Sequence, residues 1–555
     1  MAISIGGGHY FFCYGVVSMV LKVLPPYHEC VYIDKNRCKI GREPRKVSYL
    51  CGNRHYAMFY HIKHFDMKKF GILNLFSVVC VAISLSLASC ATDDWLSGFG
   101  GSSGNDSSVE EVAGTPWVHE ELSWVFDMDV LPEVRINVTE EQWNELLMSY
   151  DQNSGTNHYV HCDAEFKSKD VFYSFADAGL RLRGNTSRRR PEGYWGEMHQ
   201  SDYTDWHHCH FTLNLRKFQK DDDHELRNVR KIYLKWHKDD AAYCRELYCY
   251  DLFRRYGVWT APYSSYCRLW IHVEGDYKPA YYGVYEMIEA IDDKFVKRRK
   301  DMFGDHKHNL WKCVNPANLN YNQIRNANIR WDDDSGAYAT YELKTNVENF
   351  EAAKAQLIEF SRKLTTLEGK EFHDWIATVC DVKLLMQTYA VSIVVGMWDD
   401  YWNNANNYYL YFNSTDMENY KVFLIPFDYD NTLGTSHNCG VQGDSGTHDP
   451  FNWGNTESSP LIGKILEFKD YREIFVKAMN ELCSPSKDFF YYQASHNRIQ
   501  KWHDMIRPYV YNDTGEDCYI EDHPAGWGNN YDYRILDPNS PMNFFKIKAA
   551  SIPAK

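Results

Sequence analysis

The run Gly396-Met397-Trp398-Asp399-Asp400-Tyr401-Trp402-Asn403-Asn404-Ala405-Asn406-Asn407 is followed further along by Phe427-Asp428-Tyr429-Asp430-Asn431. Carboxylates and amides at this density suit one kind of chemistry. Metal-dependent phosphoryl transfer needs one carboxylate to orient or deprotonate the acceptor. It also needs an amide oxygen and further carboxylates to hold divalent ions against the phosphates. A ligand set made only of oxygen favours magnesium or manganese over zinc. The plainer reading is a surface loop rich in turn-forming residues. Against it, each segment comes directly after an element that reads as buried.

The element before the first segment is residues 382–395, nearly continuously apolar, the pattern of a buried helix. Two short aromatic strands, 408–412 and 420–425, lead to the second. Further helices are expected over 347–364, where Phe350, Leu357 and Leu364 share a face, and over about 461–483 and 488–506. The earlier part of the chain reads differently. Residues 133–138 alternate as a strand, and Thr139-Glu140-Glu141 then opens a helix through Leu147 in capping-box style. Strands are expected within 160–175, over 211–215 and 232–236, and as a hairpin of 266–273 and 281–288 around Glu274-Gly275-Asp276. Residues 241–256 read as a helix closed by Gly257, a residue suited to a left-handed cap. The fold class is therefore α+β. A sheet-rich lobe over 117–315 and a mainly helical lobe over 316–555 would enclose an active cleft.

An ordered set of motifs carries a family resemblance. It runs Arg183-Gly184-Asn185-Thr186-Ser187-Arg188, then Arg245-Glu246-Leu247 with Tyr250-Asp251-Leu252-Phe253, then Gly283-Val284-Tyr285 with Glu289 and Asp292. Asn309-Leu310-Trp311-Lys312, Trp398-Asp399, Asn407-Tyr408-Tyr409-Leu410-Tyr411 and Pro426-Phe427-Asp428-Tyr429-Asp430 complete it. Over about residues 133–510 this resembles the CotH (spore coat protein H) kinase family. The resemblance implies an atypical protein-kinase-like, two-lobed fold that uses ATP with Mg2+ or Mn2+ to phosphorylate Ser or Thr of a protein acceptor. By position it implies that Asp399 is the catalytic Asp and Asn407 a metal-binding Asn. Asp428 falls on the metal-binding Asp that corresponds to the one in the kinase Asp-Phe-Gly signature, and Asp430 and Glu289 also fall on matching positions. Asp399 and Asn407 are eight apart, whereas the kinase catalytic loop separates these roles by about five. Asn404 stands at that shorter offset, so either Asn is open as the ligand, and neighbouring Asp400 competes with Asp399.

On the nucleotide side, Arg183, Gly184 and Arg188 belong to a turn whose amides and guanidinium groups suit phosphates; a solvated basic turn is the competing reading. Lys235, ending a strand before the helix that bears Glu246, matches the kinase Lys/Glu ion pair in order, with Lys217 and Lys312 as rivals. Arg245 on that helix is a further phosphate candidate. Two other functions compete. Asp428-x-Asp430-x-Thr432 also fits the signature of haloacid-dehalogenase-type phosphatases, whose first Asp is a covalent nucleophile. That motif belongs on the first strand of a doubly wound domain, yet only 124 residues follow Asn431. The second rival is a non-catalytic surface lipoprotein that binds glycan or protein through aromatic residues, a reading favoured by the scarcity of ATP outside the cytoplasm.

The export argument starts at Met67-Lys68-Lys69, an apolar run over 70–87 and Leu87-Ala88-Ser89-Cys90. These make a signal peptide over 67–89 whose ending resembles a bacterial lipobox, implying cleavage before Cys90 and acylation of its thiol. A retained membrane helix is the alternative. Residues 1–66 then read as upstream translation and not as a domain. Their cysteines, Cys13, Cys30, Cys38 and Cys51, include no Cys-x2-Cys pair for a zinc module. Residues 90–116 read as a lipidated flexible tether, Gly/Ser-rich over 97–108. Ala91 followed by Asp93-Asp94 resembles outer-membrane lipoproteins facing the periplasm or the cell surface, with membrane contact only through the lipid at Cys90. Disulfides are permitted there, and ten Cys follow Cys90.

Charge agrees with a soluble body. The 555 residues hold 60 Lys+Arg against 75 Asp+Glu, a net −15 that argues against a nucleic-acid partner. Residues 1–89 carry 11 basic and 4 acidic side chains, so the remaining 466 hold 49 and 71, or −22. The basic turn at 181–190 stands out against that background. Aromatic residues make up 16%, with 41 Tyr and 17 Trp, which either a Tyr-rich core or a stacking surface would explain.

Overall fold

The computed structural model describes residues 111–553 apart from 202–204, 222, 334, 436–443 and 525–531, together with four short strands nearer the N-terminus. The chain divides into two compact units, Met1–Ser107 and Ser108–Lys555. In the first, the described residues form two antiparallel hairpins, Ala2–Ile5 with Gly8–Phe11 and Lys46–Cys51 with Arg54–Phe59. The expected signal segment 67–89, the lipidation site Cys90 and the tether as far as residue 110 lie outside the described residues. Among the described residues no helix is long and apolar enough to cross a membrane.

The second unit is α+β, and its sheet-rich part closes on itself. Seven strands form a barrel: β1 (Glu133–Val138), β2 (Val160–Ser168), β3 (Val171–Arg183), β4 (His210–Asn214), β5 (Lys231–Lys235), β6 (Ser264–Val273) and β7 (Ala280–Glu289). Their order is β6-β7-β5-β4-β3-β2-β1, and the parallel pair of β1 with β6 completes the ring. Alternation set the expectation of strands, and burial follows it: β1 buries Val134, Ile136 and Val138 and leaves their neighbours half-buried. Closure had no such signal, because it depends on the non-local pairing of Glu133–Val138 with Arg268–Val273. All ten residues of β7 are buried, as in a strand covered on both faces.

A second sheet, of five strands, takes members from both sides of residue 315. Its order is β9 (Ile329–Trp331), β10 (Tyr341–Leu343), β8 (Asn309–Cys313), β11 (Tyr408–Phe412) and β12 (Val422–Pro426). The largest buried cluster joins this sheet to the helices, among them Phe350–Thr366, the almost wholly buried Val382–Val394 and Lys469–Leu482. One helix expected over 461–483 is two, Pro460–Ile465 and Lys469–Leu482.

Two helices differ in their ends from the sequence reading. Thr139 caps Glu140–Gln152 by accepting from the Gln142 N–H at 3.2 Å, but the Gln142 side chain goes to Glu145 and His161, so only half of the capping box forms. The helix Arg245–Arg255 begins later than expected because Asp240 accepts from the Cys244 and Arg245 N–H groups, both at 2.8 Å. It closes at Gly257, whose φ is +86° and whose missing Cβ would lie 2.4 Å from the Gly114 Cα. Only glycine meets both requirements.

Candidate active site

A cleft of about 510 Å³ is lined by the end of β3 and the Arg183–Arg188 turn, Lys235, Lys312, the loop that carries Asp399 and Asn407, and the Asp428–Asn431 turn. Sequence places these residues more than 240 positions apart; strand ends bring them together.

Lys235 is the junction. Its ammonium donates to Glu246, to Asp428 Oδ1 at 2.6 Å and to Asp430 Oδ2 at 3.5 Å. The three acceptors outweigh the cost of burial and hold the lysine well above its usual range. Burial pushes Glu246 up to about 7, against the pull of Lys235. Burial also raises the Asp428 carboxyl, but Lys235, Arg183 and Lys312 reverse the sign and leave it lowered. Asp430, desolvated and beside Asp428, is raised. Glu246 Oε1 accepts from the Tyr250 hydroxyl at 2.8 Å and from the Tyr429 N–H at 3.3 Å, and the Tyr250 hydroxyl in turn accepts from the Asp428 N–H at 2.9 Å. Asp428 adopts φ +61° and Asn407 φ +54°, the left-handed region that Asp and Asn tolerate best among side-chain-bearing residues.

Asp399 faces the cleft inside a cage of amides. Its Oδ1 accepts from Asn404 at 2.6 Å and Asn406 at 2.9 Å, and its Oδ2 from Asn407 at 2.9 Å. Burial lifts it to about 6 even though these donors oppose the shift. Asn406, part of the Asp/Asn run but given no role there, and Asn315, which the sequence did not single out, tie the cage together: Asn406 accepts from the Asn315 N–H at 2.8 Å, and Asn315 donates to the Asn404 carbonyl at 2.6 Å. Asp400 does not share this role. It caps the short helix Tyr401–Asn404 through the Asn403 N–H at 2.8 Å, is buried and does not line the cleft.

The basic candidates divide. Arg183, Gly184 and Arg188 line the cleft. Arg183 stacks 4.0 Å over Tyr233, and Arg188 ties the turn down through the Gly184 and Thr156 carbonyls and Asn157. Burial and the nearby Arg181 and Arg183 lower Arg188 to about 10. Gly184, at φ +112°, would place a Cβ 2.6 Å from Ser187 Oγ. Of the three rival lysines, Lys217 lies over the Tyr159 ring, away from the cleft, and Lys312 lines it. Burial drops Lys312 to about 8, and among the described residues no carboxylate lies within ion-pair distance of it. Arg245, a phosphate candidate from sequence, and Glu289, a site candidate by its matching family position, stand apart. Arg245 is wholly buried against Asp240. Glu289 is equally buried and holds Arg298 at 2.6 Å and Arg299 at 2.7 Å. Both are structural ion pairs, and neither lines the cleft.

Among the described residues two acidic groups are compact enough to hold a cation, Glu246/Asp428/Asp430 and His237/Asp240/Glu286. The second fails on its donors, because both Asp240 oxygens already accept from the Ala242, Cys244 and Arg245 groups. In the first, both Glu246 oxygens are likewise taken, by Lys235, Tyr250 and Tyr429, but Asp428 and Asp430 are about one-third exposed to the cleft and offer the oxygen ligands that a hard cation takes.

The aromatic residues around the loop pack. Trp398, Tyr401, Trp402, Tyr408 and Tyr409 are all buried; Trp398 and Tyr409 also line the cleft wall, so only Tyr401, Trp402 and Tyr408 belong wholly to the core.

A family model described as CotH kinase protein matches residues 180–534, and the chain belongs to the CotH kinase family. No curated protein matches the chain. Membership points to kinase-type phosphotransfer. The matched span contains Arg183, Arg188, Lys235, Lys312, Asp399, Asn407, Asp428 and Asp430.

Proposed function

We propose that the cleft transfers the γ-phosphoryl group of ATP to a Ser or Thr hydroxyl of a protein acceptor, with Mg2+ or Mn2+, in a kinase-like arrangement whose small lobe is the barrel. One observation carries this reading: the Lys235–Glu246 pair, the Asp428/Asp430 carboxylates and the caged Asp399 line or adjoin a single cleft. Asp428 and Asp430, with the amide oxygen of Asn407 or Asn404, are the residues that would hold a divalent cation, which when bound neutralises charge on the phosphates. Lys235, Lys312, Arg183 and the Arg183–Arg188 turn supply cations for the phosphates. Asp399, at about 6, is ionised at neutral pH, and its three amide donors orient it to accept the proton of an acceptor hydroxyl.

The same proposal includes export as an outer-membrane lipoprotein, acylated at Cys90 and facing the periplasm or the cell surface. Mass spectrometry of the native protein is expected to find the N-terminus at a lipidated Cys90; a peptide from before Met67 would overturn this part. Catalysis is tested by ATP and Mg2+ binding in thermal-shift measurements, followed by transfer from labelled ATP, with Asp399→Ala and Asp428→Ala as controls. Well-folded protein that neither binds ATP nor transfers phosphate sinks the kinase reading. A phosphoryl group trapped on Asp428 would favour the phosphatase chemistry instead.

A further inference from the structure

Glu246 and Asp428 are joined twice. The first bridge is ionic: the Lys235 ammonium contacts a carboxylate oxygen of each. The second runs through the Tyr250 hydroxyl, which donates to the other Glu246 oxygen at 2.8 Å and accepts from the Asp428 backbone N–H at 2.9 Å. Glu246 and Tyr250 stand one helical turn apart on Arg245–Arg255, so one rigid element carries the anchor and the middle of the link, and only its far end, Asp428, lies on another segment. Both side chains are buried, where an N–H without an acceptor is costly.

We propose that Tyr250 is a positioning residue for Asp428, the second bridge that keeps the Asp428 turn in place when Lys235 is drawn away. The inference rests on the kinase reading. The ionic bridge is made of the same charges that a nucleotide and a cation compete for: phosphates attract the Lys235 ammonium, and a divalent cation attracts the Asp428 carboxylate. The Tyr250 bridge ends on the Asp428 backbone N–H, an uncharged group already committed to the hydroxyl, for which a phosphate and a cation do not compete. It therefore persists in the loaded state and holds a residue whose left-handed φ of +61° makes its conformation dependent on its surroundings. The Tyr429 N–H reaches the same Glu246 oxygen at 3.3 Å, a longer contact that supports the turn from the next residue.

The test compares the full wild-type chain with Tyr250→Phe, which keeps the ring and deletes the hydroxyl. The control is Tyr248→Phe, which removes a buried hydroxyl on the same helix bonded to Ser495 at 2.7 Å. Hydrogen exchange of the peptide containing Asp428 is read without metal or nucleotide, and Mn2+ binding to the ATP-mixed protein is read by electron paramagnetic resonance. Tyr250→Phe is expected to speed exchange at the Asp428 amide and to weaken Mn2+ binding by about tenfold each, the size of one lost hydrogen bond of this kind. Tyr248→Phe is expected to change neither. Unchanged exchange and affinity in Tyr250→Phe, or equal losses in the control, would overturn the proposal. Absence of Mn2+–ATP binding in the wild-type chain overturns the kinase reading instead, and with it the role given to Tyr250 toward the metal.

Discussion

Asp399 accepts three amide hydrogen bonds at the edge of the cleft, whereas Asp400, its neighbour, turns into the protein to cap a helix. Spacing left the two in competition because successive residues outside a helix point in different directions, and only the fold says which direction is the cleft. The Asn alternatives narrow less: Asn404 and Asn407 both reach Asp399. Asp399→Asn is expected to lower kcat by about 10²- to 10⁴-fold, the range of general-base catalysis, with ATP affinity retained in calorimetry; Asp400→Asn should keep most of the activity. A fall in ATP affinity that accounts for the whole effect of Asp399→Asn would remove the base role. Glu289 belongs to a different class of residue. Its loss leaves Arg298 and Arg299 buried without their carboxylate, so Glu289→Gln should cost about 3–5 kcal/mol in denaturant unfolding while leaving nucleotide affinity as it was.

At the scale of elements, the helix Arg245–Arg255 carries the Lys235 partner and Tyr250, and its closure at Gly257 against Gly114 fixes where it ends. Gly257→Ala forces a Cβ into backbone at a left-handed φ. It should lower stability by more than about 1 kcal/mol, measurable as a shifted urea midpoint at unchanged slope. The C-terminal helix Phe544–Ser551 places Lys548 in full burial, donating to the Ser445 carbonyl at 2.9 Å. Burial drops its pKa to about 7. In the unfolded chain a lysine titrates near 10.4, so between these values the unfolded state binds the extra proton and stability rises with pH. Relative to Lys548→Met, the wild-type protein should gain about 1.4 kcal/mol of unfolding free energy per pH unit from about 7 to 9. A constant difference across that range would show that the amine does not titrate in the fold.

Across the whole molecule, the nine described cysteines after Cys90 are all free, and seven of them are buried. A reductant is therefore expected to leave the melting temperature unchanged. Alkylation of native protein should reach Cys518 before any other described cysteine, since the partly exposed Cys483 is raised to about 12 by its surroundings; early labelling of Cys267 or Cys313 would contradict the packing. By itself the sequence determined the α+β class, most strand and helix positions, the Lys235–Glu246 order and the two acidic segments, because alternation, apolar runs and motif order are local or sequential properties. The tertiary structure alone decided that the strands close into a barrel and that Lys235, not Lys217, meets Glu246. It also decided that Arg245 and Glu289 serve internal ion pairs, and that Tyr401, Trp402 and Tyr408 pack inward while Trp398 and Tyr409 reach the cleft wall. Each of these turns on pairings between residues tens to hundreds of positions apart, and on which face of an element meets solvent, and local spacing does not encode either.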